Sequence, residues 1–442
     1  MNFTTDYRLE NFILEAKWEN LPEEVRERLR GCLIDLTGAL VAGSHSRQFE
    51  VGLRLAERVY GAGDIAVIGS EKKFGFMGAS CAMGHSSNAY DIDDGHNMTR
   101  AHPGTSFIGG LLAAAYEKDI SLKELFEAMV VAYEVTVRGG AAMMDYYQYA
   151  HSSGTFGALG VAAGVGRIYG FDREMLNHAL SIADFNAPLV PGIRSVEYPS
   201  MNKDGVPFGV MVGALVVAEV LSGFEGNKNL LEADEYKHYL DDLGEKYQVM
   251  DLYFKPYPCC RWAHPAIDAC TSLMCEHGIT YENIARVTIK TFKRATMLSK
   301  IEPKTVDEAQ YNIAYPVAAS LVYGDFGIKE VMEESLSDEK TLAMMKKLYF
   351  EVDERLDAQF PARRICRAEI ETLDGKTYIS DECEPRGEAK DNVSVQWLAD
   401  KFNRITAPFV SADGQRKILS VITGDVSRSV RELVDTVNSA LL

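Results

Sequence analysis

The sequence predicts a mainly α protein with a large all-helical domain and a smaller α+β domain. Apolar positions recur at helical spacing in the first half of the chain, and no pattern between residues 103 and 223 alternates with a period of two. After the helix that begins near residue 264, β-branched and alternating segments appear. The 442 residues are enough for two domains and a large core.

The first domain is predicted to begin with helices over residues 6–61. Leu21-Pro22 is a helix start signal there, and Gly43 is a stop signal. Further along, glycine and alanine recur inside predicted helices such as Gly154–Tyr169. An interior glycine costs a helix about 1 kcal/mol relative to alanine. Its repetition therefore predicts helix backbones that approach closely in a tightly packed bundle.

The smaller domain is predicted from three strand segments: Arg286–Phe292, Cys366–Leu373 and Thr377–Ile379. Asp374-Gly375 is a hairpin signal between the last two. Helical stretches at 306–324 and 328–348 lie between the strands. The predicted division is 1–267 for the first part of the helical domain, 268–392 for the α+β domain and 393–442 for C-terminal helices that return to the helical domain.

Composition and charge narrow the classes of function. The net charge of −18 argues against a nucleic-acid partner, because phosphate binding needs a basic face. The uncharged run Val206–Ala218 ends at Glu219, short of the roughly 20 residues that span a membrane. The N-terminus lacks the apolar stretch of a secretory signal. Eight cysteines without a regular framework suit a reducing cytoplasm, so we expect a cytoplasmic protein without a membrane partner.

The stretch from Gly84 to Glu117 is the main candidate for a functional site. It contains Asp91 and Arg100, and His102-Pro103 then begins an apolar helix. The free N–H groups at a helix start favour an anion, as chemistry on a carboxylic acid requires. A polar loop with capping aspartates explains one such stretch equally well. A second helix start of the same kind, His264-Pro265, favours the functional interpretation.

An acidic protein needs a local basic pocket to bind an anionic substrate. Four cations are candidates for it: Arg100, Lys203, Lys255 and Arg261. Pro256 and Pro258 hold the segment after Lys255 extended, which would position this side chain. For all four cations, the ordinary alternative is a solvated surface position. His151 begins a glycine-rich helix and Tyr315 lies near the front of a later helix, and capping or core roles explain both as well.

The motifs favour a site without a metal or an organic cofactor. An EF-hand loop starting at Asp91 would need glycine at its sixth position and glutamate at its twelfth, where this chain has His96 and His102. The sequence contains no HExxH or CxxC pattern for zinc. It also contains no glycine-rich dinucleotide or nucleotide loop and no GxSxG motif for a serine nucleophile.

Taken together, these motifs resemble the MmgE/PrpD family, which includes 2-methylcitrate dehydratase, cis-aconitate decarboxylase and iminodisuccinate epimerase. The resemblance covers nearly the whole chain, and the order and spacing of its segments make it specific. The segments are LPEEVRERLRGCLIDLTGALVAGS, AYDIDDGHNMTRAHPG, HSSGTFGALGVAAGVGRIYG, MNKDGVPFGVMVGALVVAEV, FKPYPCCRWAHPAIDA, AQYNIAYPVAASLVYG and CRAEIETLDGK.

The resemblance implies a helical domain formed by both chain ends, an α+β lid domain, a homodimer and a cofactor-free site in the cleft between the domains. Carried across by motif position, the site residues are Asp91, His102, His151, Lys203, Lys255 and His264, with Tyr315 a weaker transfer. One departure concerns Gly95, because many members have threonine after the paired acids. This difference bears on substrate identity more than on reaction class.

The family members share the problem of removing a group or a proton beside a carboxylate, through an enolate-like intermediate that needs cations and N–H donors. We expect Lys203 and Lys255 to bind the substrate carboxylates with support from Arg261. His151 or His102 would act as general base, and Asp91 would orient a histidine or pass a proton.

The leading hypothesis is a dehydratase of a 2-methylcitrate-type acid. The alternatives are decarboxylation of a cis-aconitate-type acid, epimerisation of a substituted succinate, and a non-catalytic dimeric binding protein.

Overall fold

The computed structural model describes residues 1–148 and 152–441 of the chain. Within these residues, the first part of the chain forms ten helices: α1 Arg8–Glu15, α2 Glu23–Gly43, α3 Arg47–Val59, α4 Phe76–Ser87, α5 Pro103–Lys118, α6 Leu122–Tyr147, α7 Ser153–Ile168, α8 Arg173–Phe185, α9 Gly192–Glu197 and α10 Val206–Leu221. Two antiparallel ribbons accompany them: β1 Ala62–Ala66 with β2 Lys73–Phe74, and β3 Asp94–His96 with β4 Leu252–Phe254. The predicted helical domain therefore contains two ribbons that the sequence pattern missed, because their strands are too short to alternate visibly.

The recurring glycines let the central helices approach each other closely. A β-carbon on Gly157 of α7 would lie 2.6 Å from the Ser106 carbonyl oxygen of α5. A β-carbon on Gly109 of α5 would lie 2.8 Å from the backbone nitrogen of Gly84 in α4. These spaces are too small for any side chain, so the predicted reason for interior glycine, close helix packing, is confirmed.

The smaller domain packs helices against one four-stranded sheet. Its helices are α11 His264–His277, α12 Val306–Gln310, α13 Ala314–Tyr323, α14 Ile328–Val331, α15 Glu339–Met345 and α16 Glu354–Asp357. Its strands, β5 Ile284–Thr291, β6 Leu348–Val352, β7 Cys366–Thr372 and β8 Thr377–Ile379, take the order β6-β5-β7-β8. The predicted hairpin is confirmed, with Glu371 opposite Thr377 and Gly375 at a φ of 82°. The prediction missed β6, an edge strand that pairs in parallel with β5, and the predicted long helices are shorter pieces.

The C-terminal helices return to the first domain. They are α17 Val395–Thr406, α18 Ala412–Thr423 and α19 Val430–Ala440. Helix α17 packs on α2, with the Leu398 side chain filling the space beside Gly31. The backbone of Val430 donates a hydrogen bond to the Ile120 carbonyl oxygen. The two chain ends therefore share one core, although the boundaries at 267 and 392 stay predictions.

Apolar helices in the described residues are short. Helix α10 is the most apolar, and it has 16 residues. None of the described helices combines the length and the hydropathy needed to traverse a bilayer.

Candidate active site

The β3–β4 ribbon brings the loop after α4 against the segment after β4. Gly95 pairs with Tyr253, two residues before Lys255. The Lys255 ammonium donates a hydrogen bond to the Asp91 carbonyl oxygen at 3.1 Å and forms an ion pair with the Asp91 carboxylate. Both side chains are almost fully buried, so this pair is isolated from solvent.

Burial and neighbouring charges act in opposite directions on the Asp91–Lys255 pair. Burial disfavours the carboxylate and raises the pKa of Asp91, against the opposing charges of Lys255 and His102. Burial alone would lower the pKa of Lys255, but the negative charges of Asp91 and Asp93 outweigh it and raise that pKa. Lys255 is therefore a permanent cation at this site.

His102 is the residue immediately before α5, and its two ring nitrogens face different carboxyl groups. Nδ1 lies 2.7 Å from the Asp94 carbonyl oxygen and 3.5 Å from an Asp93 carboxylate oxygen. Because a carbonyl oxygen only accepts hydrogen bonds, Nδ1 carries a proton. Nε2 lies 3.6 Å from the Asp91 carboxylate. It is therefore the nitrogen that can exchange a proton with a substrate or with Asp91.

Asp204 is a further carboxylate at this site, which the sequence interpretation did not select. It accepts hydrogen bonds from the Ser152 hydroxyl at 2.5 Å and from the Tyr311 hydroxyl at 3.1 Å. Burial raises its pKa, but His102, these hydroxyls and Lys255 together more than offset burial and lower that pKa. Its position directly after Lys203 was the only signal in the sequence.

Lys203 links the Asp91 loop to the smaller domain. Its ammonium donates hydrogen bonds to the carbonyl oxygens of Asn88, at 3.1 Å, and Ala89. It also donates one to the Gln310 side chain at 2.9 Å and lies 3.3 Å from the Asp307 carboxylate, both in α12. Any rigid separation of the two domains would break the contacts with Gln310 and Asp307.

Three predicted site residues have a strained backbone. Asp91 has a φ of 50°, Arg100 a φ of 53° and Lys203 a φ of 28°. Residues other than glycine rarely adopt positive φ, and such strain of about 1–3 kcal/mol tends to occur where function requires it.

His264 lies in the same region but in different surroundings. It is the first residue of α11 and is fully buried. Its Nε2 lies 3.0 Å from the Cys259 carbonyl oxygen and therefore carries a proton, whereas Nδ1 has no hydrogen-bond partner among the described residues. Burial, together with the positive charges of Lys255, Arg261 and Lys401, keeps the pKa of His264 well below its usual value.

Arg261 is buried next to the β3–β4 ribbon. Its guanidinium lies 3.5 Å from the centre of the Tyr253 ring, donates a hydrogen bond to Asn97 Oδ1 at 3.1 Å and pairs with Glu388. Burial lowers the pKa of Arg261 to about 10. Arg100, in contrast, is exposed, and its backbone N–H caps the turn at His96.

The structure does not bring every predicted residue to the Asp91–His102 cluster. The Tyr315 hydroxyl lies 2.8 Å from the Glu330 carbonyl oxygen and 2.9 Å from that of Ser335, inside the smaller domain. The tyrosine that contacts the cluster is Tyr311, four residues earlier in the same motif. His151 lies outside the described residues.

A second buried ion pair contacts the Asp91 loop through the backbone of Ile92. Lys401 of α17 lies 2.6 Å from the Asp35 carboxylate of α2 and donates a hydrogen bond to the Ile92 carbonyl oxygen at 2.5 Å. Burial raises the pKa of Asp35 to about 6 and lowers that of Lys401. Sequence reasoning missed this pair because its members are far apart in the chain and lie on ordinary amphipathic helices.

Comparison with protein-family models matches the MmgE/PrpD N-terminal domain to residues 7–240 and the MmgE/PrpD C-terminal domain to residues 257–424. The chain belongs to the MmgE/PrpD family. The resemblance drawn from the motifs is therefore confirmed, as is the architecture of a helical N-terminal domain and a smaller α+β C-terminal domain, the lid.

The MmgE/PrpD chain is also similar to three curated relatives over almost its full length. It is 22% identical over 472 residues to a cis-aconitate decarboxylase-like protein, oryM, of Aspergillus oryzae, covering 98% of this chain and 96% of the relative. It is 21% identical over 460 residues to a cis-aconitate decarboxylase of Aspergillus terreus, covering 95% and 93%. A cis-aconitate decarboxylase of Aspergillus terreus strain NIH 2624 is 22% identical over 442 residues, covering 91% and 89%.

Gly95, the departure from the pattern of many MmgE/PrpD members, makes room for an aromatic ring. A β-carbon at Gly95 would lie 2.5 Å from Cε2 of Tyr253, so any side chain here would displace that ring. Tyr253 is in turn the ring on which Arg261 stacks. The absence of a side chain at Gly95 therefore helps to position a cation.

Three residues of this MmgE/PrpD site could in principle hold a metal ion. Asp91, His102 and Asp204 each offer one ligand atom within 4.8 Å of the others. These atoms already have partners, however. Asp91 pairs with the Lys255 cation, and Asp204 accepts from two hydroxyl groups. The donor set is therefore a poor fit for a cation.

Proposed function

We propose that the protein is a cofactor-independent lyase that acts beside a carboxylate of a small di- or tricarboxylic acid, most simply as a dehydratase of a 2-methylcitrate-type hydroxy acid. The observation that carries this proposal is the fixed ring of His102. Its Nδ1 is held by the Asp94 carbonyl oxygen, which leaves Nε2 directed toward Asp91, the ion-pair partner of the buried Lys255 cation.

Dehydration requires a base and an acid, and this site offers both. His102 Nε2 removes a proton from the carbon beside a substrate carboxylate, and the electron pair forms the new C=C bond as the neighbouring C–O bond breaks. The leaving hydroxide takes a proton from Asp91 and departs as water. Burial, which raises the pKa of Asp91, favours the protonated carboxyl that this step needs.

The negative charge that develops on the substrate is stabilised by Lys255 and Lys203. Both ammonium groups are buried, so their attraction for an anion is weakly screened. The negative charges of Asp93 and Asp204 stabilise the positive charge that His102 acquires when it accepts the proton.

Decarboxylation of a cis-aconitate-type acid is the second candidate, because two of the three relatives are named cis-aconitate decarboxylases and the third is named a cis-aconitate decarboxylase-like protein. It would use the same cations and needs only an acid to protonate the carbanion. Epimerisation, in which a proton is removed and returned to the other face, is a further alternative because it would use the same cations.

One experiment separates these reactions. Wild-type protein and His102→Gln are incubated with a panel of di- and tricarboxylic acids in deuterated water and followed by NMR. We expect loss of water from a 2-methylcitrate-type acid with the wild type only. Loss of carbon dioxide would identify a decarboxylase, and exchange alone an epimerase. If no acid in the panel changes, the binding-protein alternative replaces the enzyme.

The proposal includes a homodimer. Phe208 and Leu215, seven residues apart on one face of α10, are 52% and 49% exposed, and Phe224, which lines one surface groove with Leu215, extends this apolar surface. A second copy of the chain would cover it. Sedimentation should give a dimer for the wild type and a monomer for the Phe208→Glu, Leu215→Glu double variant; a monomeric wild type contradicts this part of the proposal.

The proposed location is the reducing cytoplasm. All eight cysteines are free thiols in the structure, which suits that compartment.

A further inference from the structure

Arg364 differs from every other buried cation in the described part of the chain. The buried lysines and arginines are Arg138, Lys203, Lys255, Arg261, Arg364 and Lys401. Five of them form an ion pair with a carboxylate, and Arg364 does not. A buried guanidinium without a counter-ion is costly, because its desolvation is not compensated. Such an arginine is suited to bind an anionic ligand.

The surroundings of Arg364 show where this anion would bind. Arg364 is 9% exposed and lies in the lid, between α16 and β7. Its guanidinium donates a hydrogen bond to Asn97 Oδ1 at 3.2 Å, the same oxygen that accepts from Arg261 at 3.1 Å. Two guanidinium groups thus converge on one neutral amide oxygen. A carboxylate accepts from arginine more strongly than an amide does, and it can accept two parallel hydrogen bonds.

We propose that Arg364 binds a second carboxylate of the substrate, the one remote from the reacting carbon, together with Arg261. This inference rests on the proposed function and specifies its substrate class. An acid with one carboxylate would engage only the lysines near Asp91, whereas a tricarboxylate would also occupy Arg261 and Arg364.

The arginine pair lies beside the ribbon that carries Lys255. The Arg261 guanidinium lies 3.5 Å from the centre of the ring of Tyr253, which is two residues before Lys255. Tyr253 occupies the space that Gly95 leaves open, on the ribbon that positions Lys255. One ribbon therefore positions both the cation beside Asp91 and the cations that we assign to the remote carboxylate.

Arg364 also explains how substrate binding could favour a closed lid. Asn97 belongs to the Asp91 loop of the helical domain, and Arg364 to the lid. An anion between Arg364 and Arg261 would connect the two domains at this point, as Lys203 already does on the other side of the loop.

The test compares Arg364→Gln and Arg364→Lys with Arg363→Gln. Arg363 is the matched control, because it is the adjacent arginine but is exposed and pairs with Glu384 at 2.6 Å. Binding is measured by calorimetry with tricarballylate, which has three carboxylates and no leaving group, and with butyrate, which has one. Thermal unfolding without ligand reports any structural damage.

We expect Arg364→Gln to weaken tricarballylate binding by roughly 10- to 100-fold, the loss typical of a hydrogen-bonded charge. Its KM for the substrate should rise by a similar factor, with kcat within about threefold of wild type, since the residue binds and does not react. Arg364→Lys should retain part of the affinity for tricarballylate, and Arg363→Gln should bind it with the affinity of the wild type. Butyrate binding should be unchanged in all variants.

The unliganded Arg364→Gln protein should unfold at or above the wild-type temperature, because it loses an uncompensated charge.

Other outcomes overturn the inference in distinguishable ways. If Arg364→Gln binds tricarballylate as the wild type does while turnover persists, Arg364 is not a substrate ligand, and the proposed function stands. If it lowers the unfolding temperature and weakens both probes equally, its role is structural. If the wild type neither binds nor converts any polycarboxylate, the proposed function fails as well.

Discussion

Two helices of this protein begin with the same dipeptide, His-Pro, and the two histidines have opposite surroundings. His102 precedes α5, and carboxylates or carbonyl oxygens face both of its ring nitrogens. His264 begins α11, and the charges that lower its pKa are those of Lys255, Arg261 and Lys401. The same kind of helix start thus occurs twice, with acids near one imidazole and cations near the other.

The difference teaches that the charges of neighbouring segments decide what each histidine can do. Positive charge on His102 is stabilised by Asp93 and Asp204, so this ring can accept a proton during a reaction. Positive charge on His264 is opposed by burial and by three cations, so that ring stays neutral. His102 is therefore suited to proton transfer, and His264 to a fixed position behind Lys255.

The largest expected effect separates the two histidines in catalysis. His102→Gln should lower kcat by about 10³-fold or more, as expected for loss of a general base and of the charge it develops. His264→Gln should lower kcat by no more than about tenfold, because a neutral amide can replace a neutral ring that donates to Cys259. Steady-state kinetics on the acid identified by NMR gives both values.

Circular dichroism and unfolding curves of both variants provide the control that each is folded. Equal losses of kcat in the two folded variants would contradict the comparison, and a larger loss for His264→Gln would reverse it.

The sequence predicted the elements of this comparison better than their environments. Local signals were sufficient for the Asp91 loop, the His102 helix start and the β7–β8 hairpin, because each depends on residues close together in the chain. The counter-charges come from elsewhere. Lys401 is separated by more than 300 residues from the Ile92 carbonyl that it binds, and nothing in the sequence of α17 distinguishes it from a surface lysine.

The same reason explains the misplaced tyrosine. Tyr311 and Tyr315 are four residues apart in one motif, and both precede or begin α13. Only the packing of the lid on the Asp204 turn selects Tyr311, whose hydroxyl reaches Asp204, while Tyr315 turns toward Glu330. Sequence spacing alone gives both positions equal weight.

The second prediction concerns how much the Asp91–Lys255 ion pair, next to His102, contributes to stability. Asp91→Asn keeps the side-chain shape but leaves Lys255 buried without a carboxylate. Breaking a buried ion pair in this way costs about 3–5 kcal/mol. Urea unfolding at pH 7.5 should therefore show a large decrease in the free energy of unfolding for this variant.

The matched double variant Asp91→Asn with Lys255→Met removes the orphaned charge and should recover part of that loss. Wild-type stability in Asp91→Asn alone would mean that Lys255 is not held by Asp91, and the acidic environment of His102 would have to be reconsidered.

The third prediction uses the pH dependence of stability to test the surroundings of His264. Because the pKa of His264 in the folded protein lies well below its unfolded value of 6.5, the unfolded state binds the proton first as pH falls. The stability associated with neutral His264 is therefore complete above pH 6.5 and decreases below it, by about 1.4 kcal/mol per pH unit. Glutamine does not titrate.

The quantity to measure is the difference in free energy of unfolding between wild type and His264→Gln at pH 7.5 and pH 5.5. The wild type should lose about 1 kcal/mol relative to the variant over this interval. Burial also lowers the pKa of His96, to about 4, but His96 is present in both proteins and its effect cancels. A constant difference would show that His264 titrates normally and is not enclosed by cations.

The smallest expected effect concerns metal ions, which only the acidic side could bind. Asp91, His102 and Asp204 have the spacing of a metal site, whereas His264 is surrounded by cations that would repel one. Lys255 and the hydroxyls of Ser152 and Tyr311 already satisfy the two carboxylates, so a divalent ion would have to displace an ammonium group that is itself buried. Dialysis against a chelator should therefore leave kcat and KM unchanged, with a zinc enzyme treated in parallel to show that the chelator works. Stoichiometric zinc or iron in the purified protein, lost together with activity, would instead make the acidic cluster a metal site, and His102 would then be a ligand in place of a base.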